Sequence, residues 1–206
     1  VCSSDLAGVN REFDEYFSVR LAKLRAEPED NLLSELVHVE TDEGRLSEPE
    51  LLMFCRLLLV AGNETTTGLI VNAIRVFSER PGVLAHVRDD LDLLPAAIEE
   101  SLRFYAPFQA TFRRTTRDVE IAGTTIPANS RLLVFLASAN RDERAFEDPD
   151  EFRLDRGANR HVAFGMGIHY CVGAPLARLE ALVALRELLP RIERSEEHTS
   201  ELQSLA

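Results

Sequence analysis

The segment from Phe164 to Gly173, FGMGIHYCVG, constrains this chain more than any other. Gly165 and Gly167 allow backbone angles and close approaches that a Cβ would forbid. Helix-forming residues follow at once, so Cys171 is predicted at the end of a tight loop just before a helix begins. The free N–H groups and the positive dipole end of that helix would stabilise a thiolate. Such a thiolate can ligate a metal, and heme iron is one known target of a single cysteine.

Six fixed positions of this segment, followed by a helix that reads LARLE, closely resemble the heme-binding loop of the cytochrome P450 superfamily. The resemblance implies that Cys171 is the axial iron ligand of heme b (iron protoporphyrin IX), donating electron density that favours O–O cleavage. It also implies that Phe164 packs near the sulfur, and that Gly165 and Gly173 belong to the cofactor-binding loop. A cysteine without this context would be read as a buried structural residue.

The composition restricts the compartment and the partners. The chain has 206 residues, 45% of them hydrophobic and 28% charged, which is ordinary for one globular domain. Its net charge of −12 argues against a nucleic-acid partner. No apolar run approaches the roughly 20 residues that span a bilayer, so no membrane partner is expected. Three cysteines form no even disulfide framework, and a reducing cytoplasm fits them.

Both ends of the chain differ in amino-acid composition from the rest. The opening VCSSDL and the tail RSEEHTSELQSLA resemble translated sequencing adapters. We therefore expect residues 1–9 to be foreign or frayed and residues 194–206 to be a foreign tail. Residues 10–193 are expected to form a partial catalytic domain, because the resemblance covers only the C-terminal half of a cytochrome P450.

The periodicity of apolar residues predicts a mainly α (α+β) fold. In family terms this is the C-terminal half of the cytochrome P450 fold, with a long central helix, a small β-sheet and the heme-binding Cys loop. The predicted helices span 10–26, 30–39 (with Asp30 as the N-cap), 47–80, 81–90, from Pro95 to about 106, and 174–192. The predicted strands span 111–115, 119–121, 124–126 and 132–136.

The interior of the long helix contains residues with low helix propensity. It should begin at Ser47 in a capping box with Glu50. Gly62 and a run of threonines are then poor choices for a helix interior, and threonine hydroxyls can bend a helix. The resemblance implies that Glu64 relays protons and that Thr65 steadies the oxygen bound to iron. The alternative is a polar patch facing solvent.

Glu100 and Arg103 are three residues apart and share one helix face. An exposed pair of this kind would contribute little to stability. The resemblance implies instead that the pair is buried and joined by Arg156. A buried carboxylate with two guanidiniums can satisfy its hydrogen bonds and hold a loop in place. We therefore interpret the three residues as a structural brace of the Cys loop.

Further candidate contacts come from the resemblance. Arg113 occupies the place of a propionate-binding arginine, and His169 that of a second propionate partner. Arg114 is the alternative to Arg113, because successive strand residues face opposite sides and only one can point at the heme. The same resemblance places three residues at the border of the substrate pocket: Ala61, Phe108 and Ala110.

The resemblance implies that the full-length parent of this chain is a heme-thiolate monooxygenase that activates O2 to hydroxylate a small apolar organic substrate, and we expect the fragment itself to be inactive. The resemblance implies electrons from a ferredoxin-type donor and its reductase. A second hypothesis is a truncated heme-binding fragment without turnover. A third is a zinc module that uses His169 and Cys171, ranked last because structural zinc needs four ligands.

Overall fold

The computed structural model describes residues 3–40, 44–157 and 159–192, and the described chain is mostly helical. The α-helices are α1 (Ser3–Ala26), α2 (Leu32–His38), α3 (Glu48–Glu79), α4 (Pro81–Asp89), α5 (Leu94–Phe104), α6 (Leu136–Ala139) and α7 (Ala174–Leu188). The strands are β1 (Ala110–Arg114), β2 (Val119–Ile121), β3 (Thr124–Ile126) and β4 (Arg131–Phe135). Short 3₁₀ turns cover Leu91–Leu93, Gly167–His169 and Leu189–Arg191. The chain divides into two compact units, residues 1–63 and 64–206.

The first unit buries a small apolar core of residues from α1, α2 and the first part of α3. Its buried members are Leu21, Val37, Leu51 and Cys55, with Phe13, Phe17, Leu33, Leu36 and Leu52 packed against them. The apolar side chains of α1 recur three to four residues apart, which places them on one helix face. Helix α1 begins at Ser3, seven residues before the predicted start. The predicted foreign tail at 194–206 lies outside the described residues.

The N-cap of α2 is Asn31 and not the predicted Asp30. Asn31 Oδ1 accepts a hydrogen bond from the Ser34 N–H at 3.0 Å, and the backbone of Asn31 is extended. Both residue types cap helices well, so the residue type alone could not choose between the two neighbours. The helix therefore begins at Leu32.

Helix α3 begins as predicted and continues without a break. Glu50 Oε2 accepts hydrogen bonds at 2.7 Å from both the backbone N–H and the hydroxyl of Ser47, which closes the predicted capping box. The helix stays regular through Gly62–Thr66 and ends at Glu79. Each unfavourable residue costs only up to about 1 kcal/mol in a helix interior, and the long apolar flanks outweigh that cost.

By length and composition α3 could also cross a membrane, although the sequence analysis expected no such segment. That expectation required an uninterrupted apolar run, whereas α3 reaches the necessary average hydropathy with polar residues such as Asn63 and Glu64 inside it. Length and composition alone equally fit a core helix of a globular protein.

The second unit has the larger core, in which α4, α5, α7 and the last part of α3 pack together. Its buried members are Leu69, Ala73, Phe77, Val87, Leu94, Ala97, Ile98, Leu102, Ala106, Ala163, Ala181, Leu185 and Leu189. Phe164 packs against this cluster from the loop that precedes α7. The core therefore connects α5 and α7 directly to the Cys loop.

The strands form two separate antiparallel pairs, β1–β4 and β2–β3, in place of one small sheet. In the β1–β4 ladder, Ala110 pairs with Phe135 and Arg114 pairs with Arg131. The hairpin β2–β3 closes on itself around Ala122 and Gly123, which both have positive φ. Leu136, predicted as the end of a strand, is instead the first residue of α6.

Candidate functional site

Two glycines and several backbone hydrogen bonds shape the loop that carries Cys171. Gly165 and Gly167 have φ of +71° and +70°, a region that other residues enter only with strain. The Cys171 N–H donates to the carbonyl oxygen of Phe164 at 3.0 Å, which closes the loop. Gly173 then occupies the N-cap position of α7.

Cys171 presents a free thiol on the surface, whereas Cys55 is buried. Burial raises the pKa of the Cys55 thiol, because the uncharged form is favoured away from water. The side chains beside Cys171 are apolar and exposed: Met166, Ile168 and Val172. Ile168 is 97% exposed, which is unusual for an isoleucine. The loop therefore offers one soft sulfur donor within an exposed apolar surface.

Glu100, Arg103 and Arg156 lie in contact, and the first two are fully buried. Glu100 Oε1 accepts from Arg103 Nη2 at 2.7 Å and from Arg156 Nε at 2.8 Å, and Oε2 accepts from Arg103 Nε at 2.8 Å. Arg103 also donates to three backbone carbonyls, those of Asn140, Pro149 and Glu151. One guanidinium thus joins α5 to the irregular segment that follows α6.

Further donors complete the shell of the Glu100 carboxylate. The backbone N–H of Arg153 and the side-chain amide of Asn159 both donate to it at 3.0 Å. Burial alone would raise the pKa of Glu100, but the hydrogen bonds from Arg103, Arg153 and Arg156 outweigh burial and hold the pKa below its usual value. The carboxylate is therefore charged and fully partnered.

The sequence analysis missed Asn140. This fully buried residue accepts from Arg103 through its backbone carbonyl and from the Val162 N–H through Oδ1, at 2.9 Å and 2.7 Å. Val162 lies two residues before Phe164, so Asn140 connects Arg103 to the start of the Cys loop. A lone asparagine in an irregular segment carries no sequence signal for such a role.

A second cluster that the sequence analysis missed surrounds Glu99. Arg178 of α7 donates to it through Nε at 2.6 Å and through Nη2 at 2.9 Å, and His161 Nε2 lies 3.2 Å from Oε2. Burial would raise the pKa of Glu99, but the hydrogen bonds from His161 and Arg178 lower it to about 2. Its place next to Glu100, and the position of Arg178 seven residues after Cys171, were the available signals.

The other predicted site residues lie on separate elements. Glu64 is exposed and Thr65 is half-buried on α3. Arg113 is exposed on β1 and donates to the Thr111 hydroxyl at 3.0 Å and to the Phe112 carbonyl at 2.8 Å. Arg114, His169, Ala61 and Phe108 are exposed, and Ala110 is half-buried at the start of β1.

Comparison with known proteins covers nearly the whole chain. Residues 6–205 match the family model described as Cytochrome P450, a range that reaches into both terminal segments. Cytochrome P450 109 of Bacillus spizizenii is 50% identical over 175 residues, which are 85% of this chain and 43% of that protein. Cytochrome P450 monooxygenase PikC of Streptomyces venezuelae is 44% identical over 182 residues, 87% of this chain and 44% of that protein.

A solved structure gives the same result. The testosterone complex of CYP109E1 from Bacillus megaterium superimposes with a TM-score of 0.90 at 39% identity, covering 96% of this chain and 55% of that one. The chain spans about half the length of the curated relatives that it matches. With the glycine-built cysteine loop and the buried Glu100–Arg103 pair described above, these matches show that the chain belongs to the cytochrome P450 family.

Proposed function

We propose that this chain is part of a heme-thiolate monooxygenase in which Cys171 binds the iron of heme b. The observation that carries the proposal is the exposed thiol of Cys171, presented by a loop with two positive-φ glycines three residues before α7. Thiolate is a soft donor that suits iron in a heme. The positive dipole end of α7 favours negative charge on such a donor.

The residues around the thiol fit a heme. Exposed Ile168 and Val172 offer an apolar surface suited to a flat macrocycle, and Phe164 packs against the buried apolar core. The cofactor's carboxylates need cations when they are buried. Arg113 and His169 are proposed to supply them, with Arg114 as the alternative to Arg113. Across the described residues, no group of three or more His, Cys, Asp or Glu could hold a metal, so a zinc module has no support.

The bound heme would supply the activation of O2 that inserts one oxygen atom into the substrate. In this proposal, the exposed carboxylate of Glu64 takes protons from solvent and passes them toward Thr65. The hydroxyl of Thr65 then holds a proton donor in one orientation. Phe108 and Ala110 would border the pocket for a small apolar organic substrate, and the testosterone bound to CYP109E1 is of that chemical kind.

Electrons would come from a ferredoxin-type donor and its reductase, and the enzyme would work in the cytoplasm without a nucleic-acid or membrane partner. One observation favours a second candidate, a heme-binding piece without turnover. The chain spans about half of its relatives' length, so part of the pocket would come from sequence outside it. Substrate-dependent oxygen consumption with surrogate redox partners separates the two candidates.

The first prediction tests the iron ligand. The chain loaded with hemin, reduced and exposed to carbon monoxide should show the red-shifted Soret band of thiolate ligation. Cys171→Ser should abolish that band, because the hydroxyl does not replace the thiolate. The matched control Cys55→Ser removes the buried thiol of the first unit and should leave the band unchanged. A Cys171→Ala protein with the wild-type band would disprove the assignment.

A further inference from the structure

The aromatic ring of Phe164 lies among three side chains. The Cζ of Arg178 lies 4.5 Å from the ring centroid, and the ring centroids of His161 and Tyr170 lie at 6.0 Å and 6.3 Å. Arg178 Nη1 also lies 3.4 Å from the Tyr170 hydroxyl. Phe164 begins the loop and Tyr170 immediately precedes Cys171. One guanidinium therefore contacts the loop near both of its ends.

Glu99 fixes the orientation of that guanidinium. The two hydrogen bonds from Arg178 form a bidentate fork, which sets the plane of the guanidinium as well as its position. His161 reinforces the carboxylate from a side chain that is 3% exposed. Its Nδ1 accepts from the Ala163 N–H at 3.2 Å, so its Nε2 is the nitrogen that donates to Glu99. Helix α5 thus holds Arg178 in one plane.

Arg186, a second arginine of α7, forms an ordinary surface ion pair that can be compared with the pair of Arg178 and Glu99. Arg186 reaches Asp92 with a single contact of 3.6 Å, and both side chains are more than half exposed. Such pairs contribute little. The Arg178 arrangement combines a fork with a guanidinium that lies over the Phe164 ring, and a lysine could reproduce neither the fork nor the planar stacking. The guanidinium of Arg178 is therefore held in one orientation, in which it contacts Phe164 and Tyr170 of the Cys loop.

We propose that Arg178, oriented by Glu99, is a positioning residue for Cys171. It holds Phe164 and Tyr170 in place, and the Phe164 carbonyl in turn binds the Cys171 N–H. The proposal concerns side chains of this chain alone. Only the identity of the ligand that Cys171 binds rests on the proposed function.

The test is amide hydrogen exchange of the chain without added hemin. In Arg178→Ala, exchange in peptides covering residues 164–172 should rise by about tenfold, because loss of the fork and the stack lowers the free energy of local opening. Peptides covering α5 should exchange at the wild-type rate. The matched control Arg186→Ala should leave both regions unchanged. Equal acceleration in the loop and in α5 would show a general loss of stability and would overturn the proposal.

Two milder variants keep the test decisive if Arg178→Ala does not fold. Glu99→Gln keeps the shape of the side chain but loses the charged fork, and it should also accelerate exchange in the loop. Arg178→Lys keeps the positive charge but loses the fork, so exchange in the loop should be nearly as fast as in Arg178→Ala. Full protection in Arg178→Lys would show that charge alone suffices and would overturn the proposal.

A spectroscopic measurement distinguishes failure of this inference from failure of the proposed function. With hemin and carbon monoxide, Arg178→Ala should show a smaller thiolate-type Soret band than Arg186→Ala. If the wild-type chain lacks that band, the proposed function fails while the exchange result still decides the role of Arg178. If the wild type shows the band but loop exchange in Arg178→Ala equals the wild-type rate, the inference about Arg178 fails by itself.

Discussion

At the scale of single residues, Arg103 connects α5 to two separate parts of the irregular segment after α6. Its guanidinium binds Glu100 and three backbone carbonyls with no exposure to water. Buried charges are tolerated only when they are paired and hydrogen-bonded, and here each is. The role of this network as a brace of the Cys loop remains a prediction, which substitution can test.

Arg103→Ala should lower the free energy of unfolding by about 3–5 kcal/mol, because it leaves the Glu100 carboxylate buried without its main partner. The matched control Arg144→Ala removes an arginine that pairs with Asp142 but is 86% exposed, and it should cost far less. Urea unfolding followed by circular dichroism measures both. Equal, small losses would show that the buried network adds little to stability.

Glu99 predicts an acid dependence of stability. Its pKa is about 2 in the folded chain and near 4.5 when unfolded, so its stabilising contribution is complete above about pH 4.5. That contribution is lost as the pH falls from about 4.5 to 2, while Arg178 stays charged. The unfolding free energies of wild type and Glu99→Gln should therefore differ most near neutral pH and converge near pH 2. A gap that does not change with pH would contradict this assignment.

At the scale of elements, predictions succeeded where the signal is local. The capping box of α3 and the Pro81 start of α4 depend on residues within one turn of each other. The pairing of β1 with β4 joins residues about 20 apart in sequence, and no local pattern specifies such a partner. The positions of the strands could therefore be predicted from the sequence, but their division into two separate pairs could not.

The same distinction holds for the candidate site. Glu100 and Arg103 are neighbours on one helix, so their contact follows from a spacing of three residues. Arg156 was found only through the resemblance, since 56 residues separate it from Glu100. The contact between Glu99 and Arg178 spans 79 residues, so no local spacing could pair the two residues.

The Cys loop and α3 should respond oppositely to the same glycine substitution. Gly167→Ala places a Cβ at φ +70°, which should cost about 1–2 kcal/mol although the space is open. Gly62→Ala lies inside α3 with nothing within 4 Å of the new Cβ, and it should stabilise by up to about 1 kcal/mol. Thermal unfolding of the two variants compares them directly. A Gly167→Ala protein as stable as wild type would contradict the loop conformation.

At the scale of the whole molecule, the described chain exposes many large apolar side chains. On α3, Met53, Leu57 and Val60 follow one face at helical spacing and are each about 60% exposed. On β1 and β4, Phe112 and Phe135 are also exposed. Extended apolar surface of this kind favours association in water.

We therefore expect the 206-residue chain to self-associate. Replacing Met53, Leu57 and Val60 together by Gln should shift sedimentation toward the monomer and reduce binding of a hydrophobic dye. A control that replaces Val9 and Val39, exposed residues outside α3, should have less effect. A wild-type chain that sediments as a monomer over the micromolar range would contradict the expectation.

Because Glu99 and Glu100 are adjacent on α5, this helix should not tolerate the insertion or deletion of a residue. Successive residues of a helix point about 100° apart, so α5 directs one carboxylate at α7 and the next at Arg103 and Arg156. An inserted or deleted residue just before this pair would rotate both carboxylates away from their partners at once. Length variation among natural or engineered versions of this chain should therefore be absent from α5.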